Sequence, residues 1–232
     1  MQNLHSGFEH FFFILNFFCH PKTKKKKKKM EEWKKDDVSF FHFKGSMMDL
    51  ETDAVVNAAN TFLLGGGGID GIVHQTAGPI LREYNRLLGG CKVGEAKISP
   101  GFYTKSRWII STVGPFGTDK NREELLSQCY TSSLQWVEKS HLEPDFHPIV
   151  PQVVDLFSPF EKKPIEKIVF CGISTGIYGY DVKDACPVAI ETCTAWTKAH
   201  PDIKVKIVFA NFLVEEQQVY ENYFEQNGFE KQ

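Results

Sequence analysis

Past residue 30 the apolar positions fall into two rhythms. Short β-branched or aromatic runs read as strands: VSFFHF (38–43), DAVVNAA (53–59), AKISPGF (96–102), RWIISTV (107–113), KIVFCGI (167–173) and KVKIVFANF (204–212). Between them apolar residues recur at three- and four-residue steps. Ile72, Val73, Ala77, Ile80, Leu81, Tyr84 and Leu87 predict one helix over residues 70–88. Leu125, Leu126, Cys129, Leu134 and Val137 predict another over 123–140, and 182–199 and 215–226 complete the set. Strands alternating with helices predict an α/β domain with a largely parallel central sheet flanked by helices. No internal repeat is visible.

Two stretches break the rhythm. Residues 142–164 carry five prolines, each lacking the N–H that helices and central strands need, and read as a surface insertion. Residues 1–29 join the apolar FEHFFFILNFFC (8–19) to PKTKKKKKK (21–29). The apolar part is too short to span a bilayer, and its positive run follows it, the reverse of a secretory signal. Three readings stand for this tail: disordered or wrongly included sequence upstream of a start at Met30, a membrane-surface tail, or a nuclear address. The expected organisation is a low-complexity tail (1–29) and one domain (30–232) with the insertion inside it.

Charge changes the picture once the tail is set aside. Its seven lysines mask an acidic body: residues 30–232 hold 20 Lys and Arg against 28 Asp and Glu. No electrostatic footprint for nucleic acid is present, so any bound anion is held locally. The six scattered cysteines form no C-x-x-C pair. They argue against a zinc site or a disulfide scaffold and for a reducing compartment, cytoplasmic or nuclear. No metal, cofactor or transmembrane span is expected, and a monomer is.

Two glycine turns follow strands and precede helices. The first is GGGGID, Gly65 to Asp70, and the second STGIYG, Ser174 to Gly179. Such units aim backbone N–H groups and a helix N-terminus at one point, which suits phosphate. Two facing turns would suit a diphosphate; the plain alternative is two tight turns needing positive φ. Neither is a P-loop, because no G-K-[ST] follows. Asp70 fits either an ordinary N-terminal helix acid, whose pKa the dipole lowers, or a catalytic carboxylate beside an anion.

The segments VVNAAN, GGGGIDGIVHQTAG, IISTVGP and ISTGIYGY, in this order and spacing, resemble the signature of macrodomains, most closely the MacroD-type ADP-ribosyl hydrolases. The resemblance covers about residues 38–226. It implies a three-layer α/β/α fold with a mixed, largely parallel sheet that binds ADP-ribose. It further implies removal of mono-ADP-ribose from acidic side chains of modified proteins, and deacetylation of O-acetyl-ADP-ribose. The alternative is a non-catalytic ADP-ribose reader.

Carried over residue by residue, the resemblance makes Asp70 the catalytic acid, with Asn60 and His74 beside it on the distal ribose. Alone, Asn60 reads as a turn residue and His74 as helix packing. Asn57 is read as structural. Ala58 and Ala59 leave room for ligand against the backbone. Gly65, Gly66, Gly67, Gly68 and Ile69 form the first phosphate loop. Ile173, Ser174, Thr175, Gly176, Ile177, Tyr178 and Gly179 form the second, with Tyr178 over the distal ribose. Phe212, otherwise a core residue, falls where the adenine-stacking aromatic stands. Gly45, Ser46 and Met47 occupy the adenine motif, but the acid usual there is Ser46, too short for the same hydrogen bond. Weaker adenine discrimination or a bridging water is expected.

Overall fold

In the computed structural model of the protein, which describes residues 30–143, 146 and 163–232, eight strands form a single sheet. The strands are β1 (Glu31–Lys35), β2 (Val38–Lys44), β3 (Ala54–Ala59), β4 (Ala96–Pro100), β5 (Trp108–Val113), β6 (Lys167–Phe170), β7 (Lys206–Asn211) and β8 (Glu230–Lys231). Their order is β4-β5-β3-β6-β7-β2-β1-β8. The inner pairings β5·β3, β3·β6, β6·β7 and β7·β2 are parallel, and the outer ones antiparallel. Five adjacent strands therefore deliver their carboxyl ends to one edge, where open α/β sheets collect ligands.

Alternation along each strand builds two cores. Val55, Ile109, Val169 and Val208 pack on Val73, Ala77 and Leu81 from helices α1 (Gly68–Ala77) and α2 (Pro79–Leu88). Their neighbours Val56, Ile110, Phe170 and Phe209 face the other way. They meet Leu126 and Leu134 of α3 (Arg122–Leu142), Ala189 of α4 (Val182–Ala199), and Tyr220 and Phe224 of α5 (Val214–Gln226). The result is the three-layer α/β/α arrangement.

The single helix predicted over 70–88 is two. Gly78 ends α1 at φ +81°, its N–H donating to His74 O at 3.1 Å, and Pro79 opens α2. A positive-φ glycine followed by proline resets the chain direction, and an apolar stripe cannot report such a break. The third helix also runs to Leu142, into the start of the expected insertion. The rest of that stretch, 144–145 and 147–162, and the tail 1–29 lie outside the described residues. Strand β1, EEWKK, was not expected, because only Trp33 of it is buried, stacked on Phe224 at 5.3 Å.

Candidate active site

The first glycine turn is wound around Asn60. Its Oδ1 accepts from the N–H groups of Phe62 (3.0 Å) and Leu63 (3.2 Å), and its Nδ2 donates to Gly65 O at 3.0 Å. That grip holds Leu63 at φ +60° and seats its side chain in the core. The turn-former and site readings of Asn60 thus coexist: one amide hydrogen is committed to the loop and the other remains for a ligand. The glycines serve closeness as well as freedom. A Cβ on Gly66 would lie 3.1 Å from Asp70 Oδ2, and one on Gly67 would lie 2.8 Å from Ile177 Cδ1 of the second turn.

Asp70 occupies the first turn of α1 and is 3% exposed. Its Oδ1 accepts from Asn57 Nδ2 at 2.7 Å and lies 3.6 Å from His74 Nε2, one helical turn on. Its Oδ2 is buried, without a protein partner, against Gly66. Burial raises the Asp70 pKa, opposed by the Asn57 hydrogen bond and by His74. Desolvation thus outweighs both of these opposing influences. Burial also lowers the His74 pKa, against the pull of Asp70 and with a push from Arg82, so the imidazole is neutral near pH 7. The pair is a carboxylate with strengthened basicity beside an uncharged ring.

The second turn is held by a neighbour that sequence reasoning passed over. Ser174 is buried at φ +67°, rare for a non-glycine, and its Oγ has no partner. The serine packs on Gly114, where any Cβ would collide with its Oγ. Three residues on, Gly117 N–H donates to Tyr178 O at 2.8 Å, and a Cβ there would strike Gly179 O. Between these contacts the Phe116 ring stacks on Tyr178, centroids 4.2 Å apart and planes 28° from parallel. The segment Gly114–Gly117 is therefore zipped along the second turn. Its signal in the sequence was GPFG directly after a strand. On the other side, Thr175 Oγ1 donates to Glu216 Oε1 of α5 at 3.1 Å.

The two turns enclose a cleft of about 170 Å³ at the carboxyl edge of the sheet. Of the predicted residues, Ala58, Ala59, Asn60, Gly66, Gly67, Gly68, Ile69, Asp70, Ser174, Gly176, Ile177 and Tyr178 line it, together with Gly114. Tyr178 has its pKa raised by burial and by the Asp70 carboxylate across the cleft. Gly65 lies over the His74 ring, which a Cβ there would approach to 3.3 Å. Thr175 and Gly179 belong to the second turn outside the lining, and Ile173 is fully buried in the core. Met47 is likewise a core side chain, 2% exposed, and does not line the cleft.

The remaining predicted residues meet one another at a separate point on the same edge. Gly45 N–H donates to Asn211 O at 2.9 Å, which sets Ser46 beside Phe212 at the ends of β2 and β7. Phe212 is 70% exposed, which overturns its reading as a core residue. Ser46 Oγ accepts from Met48 N–H at 3.3 Å and caps a 3-10 turn at Met47–Asp49. Asn57, read as structural, is better described as the residue that fixes Asp70. The two are thirteen positions apart, and nothing in their spacing announces the contact. Among the described residues one trio, Glu31, His42 and Glu221, could converge on a metal ion. Two ammonium groups already neutralise its acids: Lys44 lies 2.6 Å from Glu221 and Lys231 lies 2.9 Å from Glu31.

Comparison with known proteins agrees with this geometry. The model of the Macro domain family matches residues 56–189. A macro domain-containing protein of Chlorobaculum tepidum is 38% identical over 188 residues, 80% of this chain and 95% of its own length. The ADP-ribose glycohydrolase MACROD2 of Xenopus laevis is 37% identical over 188 residues, and the matched region spans 80% of this chain but 39% of that protein. Among solved structures, the Oceanobacillus iheyensis macrodomain with ADP superposes with a TM-score of 0.72 at 27% identity, covering 87% of this chain and 98% of that one.

Proposed function

Since the chain belongs to the macrodomain family, we propose that it binds ADP-ribose and hydrolyses mono-ADP-ribose from acidic side chains of modified proteins. The observation that carries this reading is Asp70: a buried carboxylate with Oδ1 tied to Asn57 and Oδ2 left open toward the glycine-lined cleft. The names of similar proteins, a glycohydrolase and an ADP complex, support it. The line of the sheet edge supports it too. The adenine would rest at Ser46 and Phe212, the diphosphate between the two glycine turns, and the distal ribose between Asn60, Asp70 and Tyr178.

In this reading Asp70 orients a water and takes its proton on Oδ2. The water oxygen bonds to the anomeric or the acyl carbon, and the ester C–O bond breaks. Attack at the anomeric carbon sends the C–O electron pair out with the target carboxylate; attack at the acyl carbon sends it out with the ribose oxygen, which takes the proton held on Oδ2 and leaves as a hydroxyl. Burial makes Asp70 a better base than a solvated carboxylate, and the hydrogen bond from Asn57 keeps it ionised and aimed. Neutral His74 borders the other oxygen, Oδ1, at 3.6 Å without a competing positive charge. The same chemistry would remove acetate from O-acetyl-ADP-ribose.

A non-catalytic reader is the second reading, and Ser46 favours it: its hydroxyl caps a turn in place of the acid that would grip adenine. One experiment separates the two. The protein and its Asp70→Ala variant are incubated with a glutamate-linked mono-ADP-ribosylated protein, and free ADP-ribose is followed. Release by the wild type, lost in the variant with binding retained, supports the hydrolase. Binding without release by the wild type selects the reader.

A further inference from the structure

Behind the first glycine turn lies a second and larger hollow, about 770 Å³. It shares a wall with the cleft. Asn60 lines the cleft, and the next residues, Thr61, Phe62 and Leu64, line the groove. The wall is braced from the groove side. Asn85, 1% exposed, donates from Nδ2 to Leu63 O at 2.8 Å. Cys91 N–H donates to Thr61 O at 2.9 Å. A Cβ on Gly90 would come within 2.8 Å of that same carbonyl oxygen, so the two loops run in contact.

The charge of this groove opposes that of the body around it. Its lining carries Arg86, Lys92 and Lys97 against one acid, Glu95. Residues 30–232 as a whole carry 28 acids against 20 bases. Arg86 is spent in an ion pair with Glu83, but the two lysines are loosely held. Lys92 has an 87% exposed side chain and reaches Glu95 only at 4.0 Å, and Lys97 makes no ion pair among the described residues. Phe62, 74% exposed, adds an apolar plate at the end nearest Asn60. A local positive surface on an acidic protein selects partners by sign and steers their approach.

We propose that this groove receives the acidic peptide segment that flanks the ADP-ribosylated residue of the substrate protein. The proposal rests on the hydrolase reading above: a modified side chain whose distal ribose sits at Asn60 and Asp70 leaves its own backbone just outside that wall. The ammonium groups of Lys92 and Lys97 match a flanking segment that carries carboxylates. Phe62 would cover the first residue beyond the linkage, and Lys92 and Lys97 would meet carboxylates further along.

The test compares binding of two ligands: free ADP-ribose, and an acidic peptide bearing ADP-ribose through a non-hydrolysable linkage. On the wild type the conjugate is expected to bind on the order of 10-fold tighter than ADP-ribose, with an advantage that shrinks as salt rises. In Lys92→Glu and in Lys92→Glu/Lys97→Glu that advantage is expected to disappear while ADP-ribose affinity stays the same, which also reports that the variants are folded. Equal binding of both ligands by the wild type, or an unchanged advantage in the variants, overturns the proposal. Release of ADP-ribose from an ester-linked protein is measured in parallel. Its absence would end the hydrolase reading while the binding ratio still judged the groove.

Discussion

Asn57→Leu tests whether the Asp70 carboxylate is held for chemistry or merely buried. Leucine is close to asparagine in shape, so the fully buried site on β3 stays filled. What disappears is the 2.7 Å hydrogen bond from Nδ2 to Asp70 Oδ1, along with a weaker one to Ser111 Oγ at 3.4 Å. A hydrogen bond to a charged group contributes about 1.5–3 kcal/mol. Because the bond favours the ionised form, its loss pushes the Asp70 pKa further up and frees the side chain to turn. About 1.5–3 kcal/mol of lost transition-state support corresponds to roughly a 10- to 100-fold fall in kcat. Stability should change less, because Asn57 Oδ1 is itself buried without a partner, and leucine removes that penalty. The assay is a pH–rate profile of ADP-ribose release, with calorimetric ADP-ribose affinity as the control. The expected result is a reduced kcat whose acidic limb moves to higher pH, with affinity within about threefold of wild type. An unchanged profile and rate would refute the idea that Asn57 positions Asp70.

Asp70→Asn should abolish turnover, retain ADP-ribose binding and raise Tm. The folded-state pKa of Asp70 lies above its unfolded value, so the native state binds the extra proton and stability falls as pH rises through that range. The Tm gain of the variant should therefore be smaller at pH 4 than at pH 7, by thermal melts. Ser46→Asp should keep the cap on the 3-10 turn, since Asp caps as well as Ser, and restore a carboxylate near adenine. Calorimetry is expected to show tighter ADP-ribose binding and a larger preference over an inosine analogue. Gly78→Ala should lower stability by about 1–3 kcal/mol in denaturant melts, because alanine is strained at φ +81° and its Cβ would meet Tyr103 at 2.7 Å.

The layered fold was legible because its signal is periodic. Val55/Val56, Ile109/Ile110 and Val208/Phe209 alternate between two cores, so the runs that contain them read as strands buried on both faces. The misses share a cause. At Gly78 one residue changes chain direction inside an otherwise continuous apolar stripe. In β1 a strand at the margin of the sheet buries one side chain, too few for any rhythm. At the site, the glycine turns, Asn60 and Asp70 were readable because they are adjacent in sequence or match a known pattern. The grip of Asn57 on Asp70 and the stack of Phe116 on Tyr178 were not, because each joins residues that only the folded sheet brings together.

The zipper along the second glycine turn also bears on how quickly a ligand can be captured. Such turns are usually the parts of a protein that must be ordered on binding, and that ordering subtracts from affinity. Here Gly114, Phe116 and Gly117 grip the turn through contacts within the protein itself, and Thr175 ties it to α5. The conformational entropy was already surrendered during folding. Little rearrangement is then left for the encounter, so association should run near the rate set by diffusion and orientation. Differences in affinity among related ligands would be expressed in how slowly each one leaves.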